Sequence, residues 1–545
     1  MRGKAQILSL AVLSSVLLSA AWYANLSILA FFGFVPLLFA EQQILREYPE
    51  KGRSLLFAAS YITFLLWNIF VTWWVVYASF GGAVMAFVFN SLFMAMVFVI
   101  YAAIKNRIGK SWATWLLIPL WIAWEHGHTL WDISWTWLTL GNIFAFNANW
   151  VQWYEFTGTS GGSLWILAVN ILVFQVIKNN RQLRLLSVPV LKIAASIILP
   201  VVFSYLVLAY RIKTHEPGKP VPVVVVQPNI DPYGEKFTLD YQVQFLRTLD
   251  LVRGKINAQT QFLVLPETFI TDDIDERFIG ESQAIQWFRD SLLKKFPNLK
   301  IVSGGNTYML YENEKDISST ARLSRNGQQY YDYFNTAVYI SRDTAEVYHK
   351  SKLVPGVERM PFPALFRPLE KFAINLGGTV GSLGTQEHRA VFKDTSGVNV
   401  APIVCYESIY ADYVTEYMRS GANIIFIVTN DGWWEDTPGY VQHLNIGKLR
   451  AIENRRQIAR SANTGISCFI DEFGTISQPT GWWQEAVISA DLQTNNHLTF
   501  FSRFGDLISY TCVCLSFLIL GTGVYLRFKK RADISQEIED PATKL

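Results

Sequence analysis

Long apolar runs with short polar breaks fill the first 211 residues of the chain, and one more run lies close to its end. A helix needs about 20 apolar residues to cross a bilayer. No small-residue cleavage site separates the first run from polar sequence, so we expect a retained span and not a signal peptide. The pattern predicts eight membrane spans, near residues 6–22, 24–40, 55–77, 83–104, 112–126, 161–177, 191–210 and 506–527.

Basic residues alternate between the loops that join these runs. The loops near 23, 78–82 and 127–160 contain no Lys or Arg. Because cytoplasmic loops are enriched in Lys and Arg, we expect both chain ends in the cytoplasm and the block after the seventh span outside. A miscount by one span is the alternative, and it would place the block after the seventh span in the cytoplasm. The basic positions are Arg2, Lys4, Arg46, Lys51, Arg53, Lys105, Arg107, Lys110, Lys178, Arg181, Arg184, Arg527, Lys529, Lys530 and Arg531.

Residues from about 212 to 505 have ordinary polarity, and short apolar runs alternate there with helix-like stretches. This alternation predicts an α/β domain whose strands are buried between layers of helix. The polar tail after Arg531 is expected to be disordered. The predicted strands are Val221–Gln227, Gln261–Leu265, Lys300–Gly304, Thr336–Ser341, Val398–Val404 and Asn423–Thr429. The predicted helices are Tyr241–Asn257, Ala284–Phe296 and Val441–Asn463.

The composition agrees with a membrane-linked chain. Among 545 residues, 51% are hydrophobic and only 17% are charged, which excludes a disordered chain and a small disulfide scaffold. A net charge of +3 is too small to indicate a nucleic-acid partner. Several of the 19 Trp residues lie in the loop 127–160. They are typical of an interfacial belt, and a wall for lipid chains is the alternative.

Four cysteines are present, and two of them, Cys405 and Cys468, lie in the polar block. A disulfide between these two is possible in an oxidising compartment. The other two, Cys512 and Cys514, lie inside the eighth span and are expected to be packing residues. Cys and His show no metal-ligand spacing, so we expect no metal and no cofactor.

Three reactive residues each follow an apolar, strand-like run. Glu267 closes "FLVLPE", Lys350 lies in "VYHKSKLVP", and Cys405 closes "VAPIVCYE". Side chains at strand ends are commonly exposed for chemistry. In this order and these settings, the three residues resemble the Glu-Lys-Cys triad of the nitrilase superfamily. The resemblance implies a nitrilase-like α-β-β-α sandwich.

Nearly the whole chain is similar to apolipoprotein N-acyltransferases, a family with a nitrilase-like domain between seven spans and a final one. The resemblance implies a membrane domain over 1–211, a catalytic domain over 212–505, a last span over 506–527 and a cytoplasmic tail over 528–545. Three positions depart from the family: its "LVPFGE" is "LVPGVE" here, a Trp position is Phe237, and a His is Lys352. The matching stretches are "LVPGVERMPF", "TNDGWW", "QHLNIGKLRAIENRRQIARSANTGIS", "WEHG" and "TGTSGGSLWIL".

The triad has a chemical rationale that is independent of the resemblance. A free thiol has a pKa near 8.5 and reacts poorly at neutral pH. A nearby Lys350 ammonium would favour the thiolate of Cys405, and Glu267 could take the thiol proton as general base. Lys352 is the rival for Lys350, which we prefer because the family's Tyr-x-Lys register fits it. For each of the three, a packing or ion-pair role is the structural alternative.

The resemblance implies further site residues, namely Glu358, Tyr406, Glu407, Asn335 and Trp433. Their structural alternatives are helix caps, turn hydrogen bonds and core aromatics. The stretch 355–385 combines Pro and Gly with apolar residues such as Met360 and Phe362. In a membrane setting, this pattern favours a mobile arm that dips into lipid, and ordinary loop packing is the alternative.

The leading hypothesis is an acyltransferase that works through a thioester on Cys405. By resemblance, the donor is a phospholipid and the acceptor is the α-amino group of a diacylglyceryl-cysteine in an apolipoprotein. The resemblance also implies a bacterial inner membrane with the catalytic domain on the periplasmic side. One alternative is a membrane-tethered amidase that hydrolyses a small amide. The other is a transporter or binding protein with an inactive domain.

Overall fold

The computed structural model describes residues 2–179, 187–324, 327, 329–359 and 382–539. Within these residues, seven helices are long and apolar enough to cross a membrane. Six of them precede residue 215 and the seventh follows residue 506, so each matches a predicted span and the predicted span 112–126 is missing from the set. The candidate spans are Gly3–Ala20, Ser27–Glu47, Gly52–Thr72, Phe80–Ile108, Tyr154–Asn179, Val188–Thr214 and Leu507–Lys529.

The described α-helices run through both halves of the chain. They are α1 (Arg2–Ala20), α2 (Val35–Glu47), α3 (Gly52–Thr72), α4 (Val75–Ala78), α5 (Phe80–Ile108), α6 (Leu117–His128), α7 (Tyr154–Asn179), α8 (Val188–Thr214), α9 (Tyr241–Val252), α10 (Gln283–Phe288), α11 (Ala411–Arg419), α12 (Pro438–Asn454), α13 (Phe500–Phe504) and α14 (Leu507–Glu539).

The segment predicted as the fifth span is shorter and more polar than its neighbours. It forms a 3-10 turn, Ser111–Leu116, followed by α6, and it is not among the seven apolar helices. The segment nevertheless lies within the bundle. The Ser516 hydroxyl of α14 donates to the Pro119 carbonyl at 2.9 Å, and Trp121 of α6 packs edge-on against Phe34.

The polar block between α8 and α14 contains two β-sheets. Their strands are β1 (Pro220–Gln227), β2 (Phe262–Val264), β3 (Ile270–Asp275), β4 (Lys300–Leu310), β5 (Arg322–Leu323), β6 (Tyr330–Ile340), β7 (Ala345–His349), β8 (Phe392–Lys393), β9 (Asn399–Val404), β10 (Ile424–Thr429), β11 (Ile458–Ala462), β12 (Cys468–Ile470), β13 (Ile476–Ser477) and β14 (Ala486–Gln493).

The two sheets pack face to face with helices on their outer sides. The first sheet has the order β14-β1-β2-β4-β6-β5, with β3 beside β4 and β7 beside β6. The second has the order β13-β12-β11-β10-β9-β8. The ring of Phe262 in β2 meets that of Phe426 in β10 at 5.3 Å, which joins the two inner faces. Helices α9 and α10 cover the first sheet with apolar residues such as Phe245 and Phe288. The predicted α-β-β-α sandwich is confirmed.

The strands at the centre of each sheet are parallel, and their shared direction determines where the residues that follow them lie. In the first sheet β1, β2 and β4 are parallel, and in the second β9, β10 and β11 are parallel. The carboxyl ends of parallel strands lie at one edge of a sheet. Residues that follow β2, β9 and β10 therefore come close together.

The sandwich rests on the membrane region through α12. Trp137 donates its indole N–H to the Gln442 side chain of α12 at 2.8 Å. Trp434 packs edge-on against Trp74, at 4.8 Å between ring centroids. Arg455, just past α12, pairs with Glu155 of α7, and both are buried. These contacts between the membrane region and the polar domain hold the two halves of the chain together.

The Trp-rich loop 127–160 is not a simple interfacial belt. Trp131 is exposed, but Trp135, Trp137 and Trp153 are buried. Trp135 stacks on Tyr406 of the polar domain. Trp135 and Trp137 therefore pack between the two halves of the chain, whereas Trp153 packs against Trp165 inside the membrane region.

Several predicted boundaries are wrong; the predicted helix Tyr241–Asn257, for example, ends at Val252. The predicted helix Val441–Asn463 ends at Asn454, because Arg455 adopts a left-handed φ of 47° and the chain then enters β11. The tail after Arg531 was expected to be disordered, yet α14 continues to Glu539. Most of the proposed arm, residues 360–381, lies outside the described residues.

Candidate active site

A buried carboxylate and a buried ammonium form the centre of the site. Glu267 follows β2, and Lys350 follows β7 directly. Lys350 Nζ donates to Glu267 Oε1 at 2.8 Å, and both side chains are almost fully buried. The backbone N–H of Asn430, just past β10, donates to the other oxygen, Oε2, at 3.1 Å. The carboxylate thus connects the ends of strands from both sheets.

Asn335 and Glu358 complete the cluster around Lys350. The amide nitrogen of Asn335, on β6, donates to Glu267 Oε1 at 2.8 Å and to Glu358 Oε1 at 3.0 Å. Lys350 Nζ also donates to Glu358 Oε1 at 2.8 Å. The ammonium therefore lies between two carboxylates, which satisfies a charge that would otherwise be costly to bury.

Burial and pairing together determine the charge states of this pair. Burial alone would raise the pKa of Glu267, but the Lys350 charge and hydrogen bonds from Lys350 and Asn335 hold it below its ordinary value. Burial likewise opposes the charge on Lys350, yet Glu267 and Glu358 raise its pKa well above the ordinary value. At neutral pH the site thus contains a carboxylate base and a fixed positive charge.

Cys405 begins a 3-10 turn, Cys405–Ile409, immediately after β9. Its φ of 48° lies in the left-handed region, which a residue with a Cβ adopts only when the surrounding structure holds it. Burial and the charge of Glu267 raise the pKa of its thiol, while Lys350 lowers it. The resting thiol is therefore protonated, so nucleophilic attack requires a base to take its proton.

Glu407 supports the turn that carries Cys405. Its Oε2 accepts from the N–H of Val404 at 2.9 Å, and its Oε1 accepts from the N–H of Ser351 at 2.8 Å. The hydroxyl of Tyr348 also donates to Oε1, at 2.6 Å. One fully buried carboxylate thus connects the residue before Cys405 with the residue after Lys350. Glu407 is a positioning residue in this geometry.

Two of the predicted site residues point elsewhere. The Tyr406 hydroxyl donates to the Ser134 carbonyl of the Trp-rich loop at 3.1 Å. Trp433 is half-buried and packs edge-on against Tyr233, whose hydroxyl donates to the Trp433 carbonyl at 2.8 Å. The Tyr406 side chain thus contacts the membrane region, and the Trp433 side chain packs within the polar domain.

Lys350 and Lys352 have different surroundings, although only one residue separates them. Lys352 Nζ donates to the Thr129 carbonyl at 2.8 Å and lies over the rings of Tyr410 and Tyr413. It makes no contact with Glu267 in the part of the chain that the structure describes. Lys350 is therefore the lysine that the fold places at the site.

Lys236 is a site residue that sequence reasoning missed. It lies in the polar stretch after β1, yet its side chain is buried, and Nζ donates to the Glu267 carbonyl at 2.8 Å. Burial lowers the pKa of Lys236 to about 7, against the opposing effects of Glu267 and Cys405. The only local sign of this site residue is the pair Lys236–Phe237 shortly after a strand. That sign is weak, because a lysine in a polar turn is normally exposed.

A second buried network lies behind Cys405. His443 of α12 has Nδ1 at 2.9 Å from Asp431 Oδ1 and Nε2 at 3.1 Å from the Cys405 carbonyl oxygen. The Ser408 hydroxyl donates to the same carbonyl at 2.8 Å. Arg460 of β11 pairs with the other oxygen of Asp431. Both side chains are fully buried, so the loss of either partner would leave an unpaired buried charge that destabilises the fold. The network holds the backbone of the nucleophile in its left-handed conformation.

The disulfide that the sequence leaves possible does not form, because Cys405 and Cys468 are both free and buried. Among the described residues, no group of three or more His, Cys, Asp or Glu side chains could hold a metal ion. The site combines two carboxylates, an ammonium and a thiol, a set of groups that can support acyl transfer through a covalent intermediate.

Two family models match different parts of the chain. The carbon-nitrogen hydrolase model matches residues 223–497, which contain both sheets and the site. The model of the apolipoprotein N-acyltransferase N-terminal domain matches residues 14–172. A solved structure, Nit3 of Saccharomyces cerevisiae from the nitrilase superfamily, is 16% identical and covers 51% of this chain and 91% of its own, with a TM-score of 0.36.

Similarity to curated proteins extends over nearly the full length. The apolipoprotein N-acyltransferase of Chlorobaculum tepidum is 30% identical over 92% of this chain and 94% of its own length. That of Geobacter metallireducens is 28% identical over 92% of each chain. With its seven apolar helices, this protein is an integral membrane protein. The chain belongs to the apolipoprotein N-acyltransferase family.

Proposed function

We propose that this protein moves a fatty acyl chain from a phospholipid to the α-amino group of a diacylglyceryl-cysteine at an apolipoprotein N-terminus. The acyl chain passes through a thioester on Cys405. One observation supports this proposal most strongly. The Glu267–Lys350 pair, at 2.8 Å, lies beside a buried Cys405 in a domain that packs directly on membrane helices.

In the first step, the donor ester is cleaved. The Cys405 proton passes to Glu267, Sγ bonds to the ester carbonyl carbon, and the carbonyl oxygen becomes an oxyanion. The Lys350 ammonium and the backbone N–H of Tyr406 stabilise that charge, a contribution worth about 10²–10³ in rate per donor. The ester C–O bond then breaks, and the lysophospholipid leaves with the proton from Glu267. A thioester remains on Cys405.

In the second step, the acceptor amine attacks the thioester. Glu267 takes a proton from the amine as its nitrogen bonds to the acyl carbon. The C–S bond breaks, and the Cys405 sulfur recovers the proton. The products are an amide on the apolipoprotein and the resting enzyme. Because the same group serves as base and acid in both steps, one carboxylate is sufficient.

Both substrates carry lipid chains, which gives the membrane region a role in catalysis. Holding two lipid-anchored reactants at one membrane surface restricts their positions and orientations before they react, which lowers the entropic cost of bringing them together. The Trp-rich loop supports this role, because Trp135 and Trp137 connect the membrane helices to the nucleophile turn and α12.

We further propose that the catalytic domain is periplasmic in a bacterial inner membrane, with both chain ends in the cytoplasm. The basic loops support this orientation. The segment 111–128 is decisive, because the seven long helices alone would place the chain ends on opposite sides. Its contact with α14 through Ser516 and Pro119 supports a further crossing.

A transfer assay tests the function. The purified protein would receive phospholipid labelled in its acyl chain and a synthetic diacylglyceryl-cysteine peptide. We expect the label in an amide at the peptide N-terminus. Label recovered only as free fatty acid would contradict the proposal, because it would indicate that water is the acceptor.

A further inference from the structure

A cleft opens at the junction of the membrane region and the sandwich, on the far side of α12 from Cys405. Its volume is about 420 Å³. The lining combines one cation with amide, hydroxyl and aromatic groups. Residues that line it include Asn147, Asn149, Trp150, Tyr205, Lys448 and Thr475.

Lys448 is the unusual group in this cleft. It lies on α12 and is only 9% exposed. Within the described ranges, neither a carboxylate nor any hydrogen-bond acceptor pairs with its ammonium. Burial lowers the pKa of Lys448 to about 8, and Cys468 is the only group that offsets this. The Lys448 ammonium lines the cleft without a counter-charge, so an anion that enters the cleft would pair with it.

The helix geometry separates this cleft from the acyl-transfer site. His443 and Arg450 lie on one face of α12, and both bond to the nucleophile turn Cys405–Ile409. Lys448 is five residues from His443, about 140° around the helix axis. A ligand on Lys448 is therefore separated from Cys405 by the helix itself.

The position of the cleft indicates where its anion comes from. Tyr205 belongs to the apolar helix α8 and is 49% exposed. The first charged residue towards the sandwich is Arg211, about 9 Å further along the helix. Tyr205 therefore lies at the sandwich-facing end of the span, the level where aromatic side chains meet lipid headgroups. The cleft is thus open to lipid along the exposed face of α8.

We propose that this cleft binds the phosphate of a bilayer phospholipid, with Lys448 as its cationic partner. The side chains of Asn147, Asn149 and Thr475 supply further polar contacts, and Trp150 and Tyr205 flank the glycerol and acyl portion. The bound lipid fills the junction between the two halves of the chain. This role does not depend on acyl transfer by Cys405.

Lipid retention by the full-length protein in detergent tests the proposal. Native mass spectrometry would count phosphatidylglycerol and phosphatidylethanolamine molecules bound to the native protein and to Lys448→Met and Lys448→Arg. Lys213→Met is the matched control, because Lys213 is an exposed lysine near the end of α8. We expect about a tenfold or greater loss of retention in Lys448→Met and little loss in the other two.

Two further measurements identify the ligand. Diacylglycerol, which lacks phosphate, should not be retained, and added inorganic phosphate should not raise the unfolding temperature as phospholipid does. Lys448→Met should unfold at the native temperature or higher without lipid, since it removes an unpaired buried charge. Equal phospholipid retention by native and Lys448→Met proteins would overturn the proposal. Equal retention of diacylglycerol, or stabilisation by inorganic phosphate alone, would also overturn it.

Discussion

At the residue scale, Glu267 performs both proton transfers of the proposed reaction. Its carboxylate binds Lys350 and Asn335 through one oxygen and the Asn430 N–H through the other. These partners keep the carboxylate charged, while the thiol of Cys405 remains protonated. The resting site therefore has its base and its nucleophile in the states that a concerted proton transfer requires.

Glu267→Gln should slow thioester formation by about 10²–10⁴, the usual contribution of a general base. The variant keeps the Lys350–Glu358 pair at 2.8 Å, so the ammonium remains paired. Single-turnover labelling of the protein with an acyl-labelled phospholipid measures this rate, and thermal unfolding checks that the variant is folded. A native rate in a folded Glu267→Gln protein would refute the assignment of the base.

The pH dependence of thioester formation should reflect the lowered pKa of Glu267. A carboxylate with a lowered pKa loses its charge only when the pH falls below its ordinary value of 4.5. The acid limb of the rate profile should therefore lie below pH 4.5. An acid limb centred above that value would show that the Lys350 pairing does not hold in solution.

The positions of Glu267, Lys350 and Cys405 at strand ends could be predicted from sequence because each follows a run that forms a strand. Glu358 contacts both Lys350 and Asn335, so these two residues of the predicted set lie beside the ammonium. Lys236 could not be predicted in this way. Its neighbours are polar, and only the tertiary fold reveals that its side chain turns inward to the Glu267 carbonyl.

At the scale of elements, α12 and β11 hold the nucleophile turn from behind. His443 of α12 and Arg460 of β11 both depend on Asp431, which follows β10. Burial opposes the charge of Asp431, but Arg460 and His443 lower its pKa to about 2. One carboxylate thus aligns a helix and a strand with Cys405.

Asp431→Asn should destabilise the domain by about 3–5 kcal/mol, because it leaves Arg460 buried without a counter-charge. Since the pKa of Asp431 is lowered from 3.8 to about 2, its contribution is present above pH 3.8 and is lost as the pH falls towards 2. Thermal unfolding of both proteins in detergent at several pH values measures this difference. The matched control is Asp250→Asn, at an exposed ion pair. Equal unfolding temperatures for Asp431→Asn and Asp250→Asn near neutral pH would contradict the account.

The strands that carry the site could be predicted, but the end of α12 could not. The run 441–463 has helical polarity throughout, with no Pro or Gly near residue 455 to mark a stop. The helix ends because Arg455 turns back to bind Glu155 and Gln152 in the membrane region. A boundary set by a contact between distant segments leaves no local signal.

At the scale of the whole molecule, the orientation of the catalytic domain follows from the number of crossings. The sequence pattern predicts eight crossings, and the described residues contain seven long apolar helices plus the shorter segment 111–128. The number of spans could be predicted only approximately, because Trp and His reduce the apolar character of that segment. How the loop 127–160 packs could not be predicted, since its Trp residues contact a domain distant in sequence.

Single cysteines introduced on each side test the orientation. Lys255→Cys lies on the exposed surface of the sandwich, and Lys51→Cys lies in an exposed loop between α2 and α3. A thiol reagent that cannot cross membranes should label Lys255→Cys in intact inner-membrane spheroplasts and should label Lys51→Cys only after the membrane is opened. The reverse pattern would place the catalytic domain in the cytoplasm.

The thioester on Cys405 is the central claim, and intact-protein mass spectrometry tests it most directly. The protein would be incubated with phospholipid in the absence of any acceptor. We expect one acyl chain on Cys405, removable by hydroxylamine and transferred when a diacylglyceryl-cysteine peptide is added, and no such adduct on Cys405→Ala. Transfer to the peptide at the native rate by Cys405→Ala would contradict the account. An acyl adduct of the native protein on a residue other than Cys405 would also contradict it.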